Sequence, residues 1–369
     1  MSESLSHPRR PTAPSAAVAD PVSPLSRLVY DYLLRWLESP WPLPLDACFG
    51  RRAPRVLEAG FGNGDFLVGL AQRRPETDFL GIETSWGSVQ RLLRRIAAAR
   101  LVNVRVLMGD AAFLLDRTIP PESLREIYVN FSDPWRKSRH HNRRLIQPAF
   151  LETVWRRLET GGVVTVATDH AEYADWIARA FEGQDRLVPV SGTTRVPSIP
   201  GRRTTRYEAK ALAAGKPIHY FVWNKPRPCP EPESPAAKEE PSMPNVILEG
   251  TLREGRLWPD PAVPAIREHR GETEILIRFT GLYRDVDRGG WFVSTLVKEG
   301  PLTQHFGVLL APRPNRRFVL NLAEVGRPRP TQGVKRAIYR LAELILAHQP
   351  ELAPVGSSVG IPRKTRPSS

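Results

Sequence analysis

The hydrophobic pattern divides the chain into two regions of different character. Over 27–38, apolar residues recur at steps of four, and this spacing predicts an amphipathic helix. From 56 to about 185, short apolar runs alternate with helix-like segments, and a further apolar run at 218–223 predicts a late strand. Such alternation indicates an α/β fold in which a parallel sheet carries helices on both faces.

The second region is β-rich. Residues 226–244 contain seven prolines and almost nothing apolar, which predicts a semi-rigid linker. Beyond the linker, β-rich runs separated by Gly and Pro lie at 246–252, 274–282, 291–297, 306–310 and 318–322. A helix follows, with Val334, Ile338, Leu341 and Ile345 on one face.

We therefore expect a first domain at 25–225 and a small β-rich domain with one helix at 245–350. The role of the second domain stays open between RNA binding, self-association and stabilisation. The ends, 1–24 and 351–369, are predicted to be a disordered arm and a disordered tail.

A glycine-rich turn follows the first strand-like run of the first domain. Glu58 closes this run, and glycines then occupy alternate positions at Gly60, Gly62 and Gly64. Glycine permits a tight turn against which a ligand can lie. A second strand-like run ends in Glu83, 19 residues after Gly64. This order predicts a nucleoside-binding half-site in which Glu83 holds two ribose hydroxyls.

The spacing of the turn separates two classes of cofactor. A dinucleotide site needs Gly-x-Gly-x-x-Gly, so that a pyrophosphate meets a helix N-terminus. Here the spacing is Gly-x-Gly-x-Gly, and Glu58 and Asp65 place negative charge around it. Carboxylates repel a pyrophosphate and attract a sulfonium, so the turn favours S-adenosylmethionine over NAD. A tight βα turn without a ligand is the alternative.

A carboxylate, a proline and an aromatic residue stand at the end of another β-rich run. Asp133, Pro134 and Trp135 follow 127–129, and five Arg or Lys and two His then occur within 136–144. Because α/β proteins bind ligands at this edge of the sheet, the segment predicts a nucleic-acid or phosphate site. A solvated charged turn is the alternative.

Together these segments resemble the bacterial single-subunit tRNA (guanine-N7)-methyltransferases, which are class I S-adenosylmethionine-dependent methyltransferases. The family motifs are matched in order over about 27–225, at 58–62, 79–83, 133–144, 167–174 and 205–208. The resemblance implies a Rossmann-like, mostly parallel sheet whose late strand pairs antiparallel near the edge. It does not cover 245–350.

The resemblance also implies roles for individual residues. Asp133 is expected to be the catalytic acid and to contact S-adenosylmethionine. The other expected cofactor-binding residues are Glu58, Gly60, Gly62, Gly64, Glu83 and Asp110. The expected substrate-binding residues are Lys137, Asp169, Thr205, Arg206, Tyr207 and Glu208. The basic run suggests contacts with RNA phosphates by Arg136, Arg139, Arg143 and Arg144.

The implied reaction methylates N7 of a guanosine in the tRNA variable loop, at position 46. Guanine N7 has an in-plane lone pair and no proton, so orientation rather than a strong base should supply most of the rate. Positive charge develops on the guanine, and the carboxylate of Asp133 would stabilise that charge.

Two stretches depart from the family pattern. Asn130-Phe131-Ser132 stand where the family usually has Phe-Phe-Pro, and we expect the loss of that proline to loosen the loop that presents Asp133. His141-Asn142 stand where Asn-Lys is common, which removes one positive charge. We expect both changes to affect substrate affinity more than chemistry.

Composition agrees with an RNA partner. The formal net charge is +14 and the isoelectric point is about 10.3. A second basic group consists of Arg195, Arg202, Arg203 and Arg206. We expect it to line one groove together with the basic run at 136–144. The alternative is that the positive charges are spread over the surface and serve solubility.

The two cysteines, Cys48 and Cys229, lack metal-ligand spacing, which indicates a cytoplasmic protein without a metal site. We expect no membrane span, no obligate protein partner, and a monomer or homodimer.

Three rival functions stay open on the sequence. A methyltransferase acting on an amino nitrogen of a base typically has a second proline where this chain has Trp135. An NAD-dependent oxidoreductase is disfavoured by the glycine spacing. A non-catalytic RNA-binding relative is suggested by Asn130 and Ser132.

Overall fold

A computed structural model of the chain describes residues 24–230, 243–253, 255, 257–258, 263–271, 273–286 and 289–361. The predicted disordered arm lies outside these residues except for Pro24, which begins a helix. Most of the predicted linker, at 231–242, also lies outside them. The described residues form two sheets, each with its own hydrophobic core.

The first sheet has the strand order β3-β2-β1-β4-β5-β7-β6. Its strands are Arg55–Ala59 (β1), Asp78–Glu83 (β2), Val104–Met108 (β3), Leu124–Asn130 (β4), Leu158–Thr168 (β5), Val188–Pro189 (β6) and His219–Asn224 (β7). Strands β1 to β5 are parallel, whereas β7 runs antiparallel to β5 and β6 antiparallel to β7. Leu57, Leu80 and Ile127 are fully buried, because helices cover both faces of a parallel sheet. The predicted mostly parallel sheet with a late antiparallel strand is confirmed.

Helices and one 3₁₀ segment connect and cover these strands. They are Pro24–Tyr32 (α1), Leu45–Phe49 (α2), Asp65–Arg73 (α3), Trp86–Ala98 (α4), Ala111–Thr118 (α5), the 3₁₀ segment Ser138–Arg143, Pro148–Arg157 (α6), Ala171–Glu182 (α7) and Arg206–Ala213 (α8). The helix predicted at 27–38 is too long, because Leu33 leaves the helix to pair with Val106 of β3. Beyond it, the Trp36 indole donates to the Met108 carbonyl.

The second sheet is antiparallel throughout, in the order β14-β8-β13-β12-β11-β10-β9. Its strands are Asn245–Gly250 (β8), Ile266–Arg270 (β9), Thr273–Asp285 (β10), Gly290–Glu299 (β11), Leu302–Arg313 (β12), Arg317–Leu322 (β13) and Leu352–Ser357 (β14). Helix α9, Gln332–His348, packs on one face and buries the four apolar residues predicted to line it. The predicted β-rich domain with one helix is confirmed.

The predicted disordered tail at 351–369 is wrong for its first part. Strand β14 pairs antiparallel with β8, and Leu352 is buried against the core beneath α9. The apolar residues of this strand gain burial that a free tail would not have. Residues 362–369 lie outside the described part of the chain.

The C-terminal domain contacts the first domain through Arg329. Its guanidinium lies 3.9 Å from the ring centroid of Trp41 and donates to the Ser39 carbonyl at 2.9 Å. Leu302 of β12 packs with the core of the first domain. Across the described ranges, no helix combines the length and apolar character needed to cross a membrane.

Candidate active site

The glycine-rich turn joins β1 to α3 and opens toward space at Gly60. Gly60, Gly62 and Gly64 have φ of +76°, +54° and +76°, in the region that favours glycine. A β-carbon at Gly60 would meet nothing within 4 Å, whereas one at Gly64 would lie 2.5 Å from the Leu92 side chain. Gly64 is therefore required by packing, and Gly60 leaves room for a ligand. A β-carbon at Gly62 would lie 3.8 Å from the Tyr207 ring, within ordinary contact distance.

Asp65 does not offer a free negative charge to a ligand at this turn. It begins α3 and forms an ion pair with Arg95 of α4. The charge that the sequence analysis placed around the turn is thus compensated at Asp65. The preference for a sulfonium over a pyrophosphate therefore rests on the carboxyl group of Glu58.

Glu58 is buried near the end of β1, where its side chain is 2% exposed. The Asn130 amide donates to its Oε1 at 2.8 Å. Its Oε2 is buried and has no hydrogen-bond partner among the described residues. Burial raises the pKa of Glu58 to about 8, because the Asn130 hydrogen bond and the charge of Arg202 only partly offset the lost hydration. An orphaned acceptor of this kind suits a cationic ligand.

A buried chain of polar groups links Glu58 to α8. Arg202 donates to the Asn130 Oδ1, and its Nε lies 3.6 Å from the Glu208 Oε2. Tyr220 donates to the other oxygen of Glu208. The Arg202 side chain is only 5% exposed, so the expectation that it lines a basic groove is wrong. Its charge is used inside the protein, next to two carboxyl groups.

Glu83, at the end of β2, is held by backbone amides. Gly62 N donates to Oε2 at 3.0 Å, and the N–H groups of Thr84 and Ser85 donate to Oε1 at 2.8 and 3.1 Å. The Thr84 hydroxyl also donates to Oε1, at 3.3 Å, whereas Gly62 N is the one donor to Oε2 among the described residues. Since a carboxylate oxygen has two acceptor positions, Oε2 can still accept from a ligand hydroxyl. This arrangement ties the glycine turn to the acid.

Asp110 follows β3 and caps α5, with its Oδ1 accepting from Phe113 N at 2.9 Å. The bond uses one carboxylate oxygen. Strands β1, β2 and β3 are parallel neighbours, so their carboxyl ends bring Glu58, Glu83 and Asp110 to one edge of the sheet.

Asp133 lies three residues beyond β4, at the same edge, and is exposed. Its Oδ1 accepts from Trp135 N at 3.1 Å. Phe131 and Trp135, on either side, have φ of +54° and +43°, which is unusual for residues other than glycine. Backbone in this region persists only where the surroundings hold it, and such positions cluster at functional sites.

Two side chains hold this loop in place. The Arg144 guanidinium donates to the Pro134 carbonyl at 2.8 Å and to Glu172 at 2.9 Å, and it lies over the rings of Tyr173 and Trp176. The Ser132 hydroxyl lies 3.2 Å from the Tyr173 hydroxyl. The serine that replaces the family proline thus has a contact of its own, which opposes the expected loosening.

The basic run separates into two groups. Arg136, Lys137, Arg139 and Arg143 are exposed, and Arg143 lies over the Trp135 ring at 5.1 Å. Arg144 is 2% exposed, so its predicted contact with an RNA phosphate is wrong: the loop itself and Glu172 occupy its donors.

The predicted substrate residues divide in a similar way. A cavity of about 240 Å³ beside the Asp133 loop is lined by Asp169 and Tyr207, together with Phe131, Ser132, Pro134, Thr168, Lys210, Ala211, Ala214 and Lys216. Arg206 is exposed at the start of α8. Thr205 and Glu208 are buried and form a capping box at that helix start. Their side chains therefore serve the α8 backbone rather than lining the cavity.

Sequence reasoning missed several residues of this site. Thr205-x-x-Glu208 before a helix matches a family motif, and the same spacing is a capping signal. Asn130 departs from the family pattern, but an amide at the end of a buried strand also predicts a buried hydrogen-bond partner. Lys210 and Lys216, which line the cavity, carry no local pattern that distinguishes them from surface lysines.

Comparison with known proteins identifies relatives over the same region. A family model described as "Putative methyltransferase" matches residues 52–221. A tRNA (guanine-N(7)-)-methyltransferase of Mycobacterium avium is 42% identical over 182 residues, covering 49% of this chain and 70% of that protein. The enzyme of that name from Halorhodospira halophila is 40% identical over 201 residues, covering 51% of this chain and 87% of that protein.

A third relative extends further along the chain. The tRNA (guanine-N(7)-)-methyltransferase of Thermus thermophilus is 34% identical over 314 residues, covering 84% of this chain and 94% of that protein. This alignment is longer than residues 25–225, so that relative also shares part of the C-terminal region. On these similarities the resemblance predicted from the motifs is confirmed, and the chain belongs to the tRNA (guanine-N(7)-)-methyltransferase family.

Proposed function

We propose that this chain transfers a methyl group from S-adenosylmethionine to N7 of the guanosine at position 46, in the variable loop of tRNA. One observation carries the proposal: the carboxyl ends of β1 to β4 bring three acids beside the glycine turn to the same edge as the loop that presents Asp133. Exposed cations and a cavity of nucleobase scale adjoin this loop.

The residues present fit S-adenosylmethionine. Glu58 Oε2 is a buried acceptor without a partner among the described residues, and Gly60 faces open space. Glu58 would hold the cationic methionine end, Glu83 a ribose hydroxyl, and Asp110 the adenine end. When bound, this cofactor supplies an electrophilic methyl group on a sulfonium.

Asp133 acts on the guanine. Bound S-adenosylmethionine would supply the methyl group that the N7 lone pair accepts, and positive charge would then develop on the purine ring. The exposed carboxylate of Asp133 accepts a hydrogen bond from the guanine N1 or exocyclic amine and stabilises that charge. Arg144 and Ser132 keep the loop in position, which supplies orientation.

The cavity beside this loop suits a base taken out of its stack. Phe131 and Tyr207 lie 6.4 Å apart between ring centroids at an interplanar angle of 27°, and Asp169 offers an acceptor at the wall. Lys137, Arg136, Arg139 and Arg143 remain exposed nearby to contact tRNA phosphates.

The test is methyl transfer to defined transcripts. The full chain is incubated with methyl-labelled S-adenosylmethionine and an unmodified tRNA transcript, and the product is digested to nucleosides. We expect 7-methylguanosine from this transcript and none from a matched transcript carrying adenosine at position 46. A methylated amino nitrogen would establish the rival methyltransferase, and tRNA binding without transfer would establish a non-catalytic relative.

A further inference from the structure

The outer face of the C-terminal sheet carries side chains that the proposed reaction does not use. Side chains alternate between the two faces of a strand, and α9 covers only one face. The uncovered face carries Phe292, Leu296 and Leu309. They alternate with the core residues of their strands, and none of them belongs to the core beneath α9. This face is therefore partly apolar without being covered by the described residues.

Two aromatic rings on this face pack against glycines and are tilted by 54° to each other. Tyr283 and Phe292 are cross-strand partners with ring centroids 6.1 Å apart. A β-carbon at Gly281 would lie 2.7 Å from the Tyr283 ring, and one at Gly307 would lie 2.2 Å from the Phe292 ring. Each ring thus packs against a glycine, and Tyr283 is still 59% exposed.

A row of polar groups lies next to the rings. Ser294, two residues beyond Phe292, bonds through its hydroxyl to Thr280 at 2.8 Å and to the His305 Nε2 at 3.2 Å. Thr280 and His305 are exposed, so these groups can exchange hydrogen bonds with a ligand.

The charge of this face is positive. Two of its carboxylates, Glu274 and Glu249, are paired with Arg267 at 2.5 Å and Arg317 at 3.0 Å. Two further cations, Arg278 and Lys298, are exposed and have no carboxylate within ion-pair distance in the described part of the chain. They are cross-strand neighbours of Leu296 and Leu276, on the same face as the rings.

We propose that this face binds an unpaired stretch of RNA. The residues that define it, here called the outer sheet face, are Arg278, Thr280, Tyr283, Phe292, Ser294, Lys298 and His305. Exposed aromatic rings stack on unpaired bases, flanking cations contact the phosphates, and the hydroxyl and imidazole groups contact base edges or sugars. This contact needs no methyl donor and lies outside the proposed reaction site.

The charges favour RNA over a second copy of this chain. In a two-fold interface the same patch meets itself, so the net positive charge of this face, including Arg278 and Lys298, would be brought against itself. Like charges brought together in this way are unfavourable. Phosphates would instead neutralise them.

The experiment measures binding of a single-stranded RNA of about 16 nucleotides by fluorescence anisotropy, without S-adenosylmethionine. Tyr283→Leu with Phe292→Leu keeps apolar cover and removes stacking, and should weaken binding at least about fivefold. Arg278→Gln with Lys298→Gln should reduce the slope of log affinity against log salt by about 1.4, or 0.7 per phosphate contact. Arg270→Gln with Lys335→Gln removes two cations on the α9 side of the sheet, and should leave both quantities unchanged.

Photocross-linking separates this face from the methyltransferase domain. RNA carrying 5-iodouridine should cross-link to the peptides that contain Tyr283 or Phe292. Cross-links confined to residues 25–225, or wild-type affinity in folded Tyr283→Leu, Phe292→Leu protein, would overturn the proposal. A wild-type dimer that becomes monomeric in this variant would also overturn it and assign the face to self-association. Methyl transfer to tRNA is assayed separately. Failure of the RNA-binding proposal can therefore be distinguished from failure of the proposed methyl transfer.

Discussion

The Asn130 amide donates a 2.8 Å hydrogen bond to the buried Glu58 carboxyl, and its oxygen accepts from Arg202. A residue that departs from the family pattern is therefore built into the pocket on the cofactor side. Through Arg202 and Glu208, the same chain of contacts reaches the start of α8. The glycine turn and the segment at 205–208 are thus coupled through the protein interior.

Replacement of Glu58 tests the assigned role of its carboxyl. Because burial raises its pKa to about 8, the carboxyl is neutral near pH 6 and ionised above pH 8. A cationic ligand favours the ionised form, so S-adenosylmethionine affinity should rise up to about tenfold per pH unit toward pH 8 and then level off. Glu58→Gln should bind more weakly at pH 8 and lose this dependence, as measured by isothermal titration calorimetry.

A matched control for this titration is Asp65→Asn. Asp65 also adjoins the glycine turn, but its charge is paired with Arg95. Its replacement should leave the pH dependence as in the wild type. An unchanged pH profile in Glu58→Gln would assign the titration to another group and remove the basis for the cationic ligand at Glu58.

Asp133→Asn should lower the turnover number by at least about a hundredfold, the usual effect of losing one preorganised electrostatic group. The asparagine oxygen can still accept from Trp135 N, so the turn is preserved. Single-turnover methylation of the tRNA transcript measures the effect, with the exposed Asp185→Asn beyond α7 as the control. Near-normal turnover in a folded protein would refute the catalytic assignment.

Arg143 and Arg144 should respond differently to the same substitution. Arg143 is exposed, so Arg143→Gln should weaken tRNA binding and lower the slope of log affinity against log salt by about one. Arg144→Gln should leave that slope unchanged, because its guanidinium is buried against Pro134 and Glu172. It should instead lower both the melting temperature and the turnover number. An equal loss of salt slope in both variants would show that Arg144 reaches the RNA.

Thr205 should prove to be a helix cap. Thr205→Val removes the acceptor for Glu208 N and should cost about 1 kcal/mol of unfolding free energy, whereas Thr205→Ser keeps it. Urea denaturation followed by circular dichroism compares the two variants. If Thr205→Val is as stable as the wild type but fails to bind tRNA, the residue contacts the substrate directly.

Much of the fold was readable from local patterns. The alternation over 56–185 predicted the parallel sheet because buried strands and amphipathic helices differ in the period of their apolar residues. The same patterns predicted the strands and the single helix of the C-terminal domain. They failed where pairing with a distant strand ended an element, as at Leu33, or created one, as at β14.

The chain's own residue order was sufficient for the class of fold, the glycine turn, the acids at strand ends and the basic loop, since each depends on neighbours within a few positions. The tertiary structure decided that Arg143 is exposed and that Arg144 is buried. It also decided that Asn130 is a hydrogen-bond partner of Glu58. It also brought Tyr283 and Phe292 together on one open face. Burial and the pairing of charges depend on residues far apart in the chain, and the side chain types alone do not carry that information.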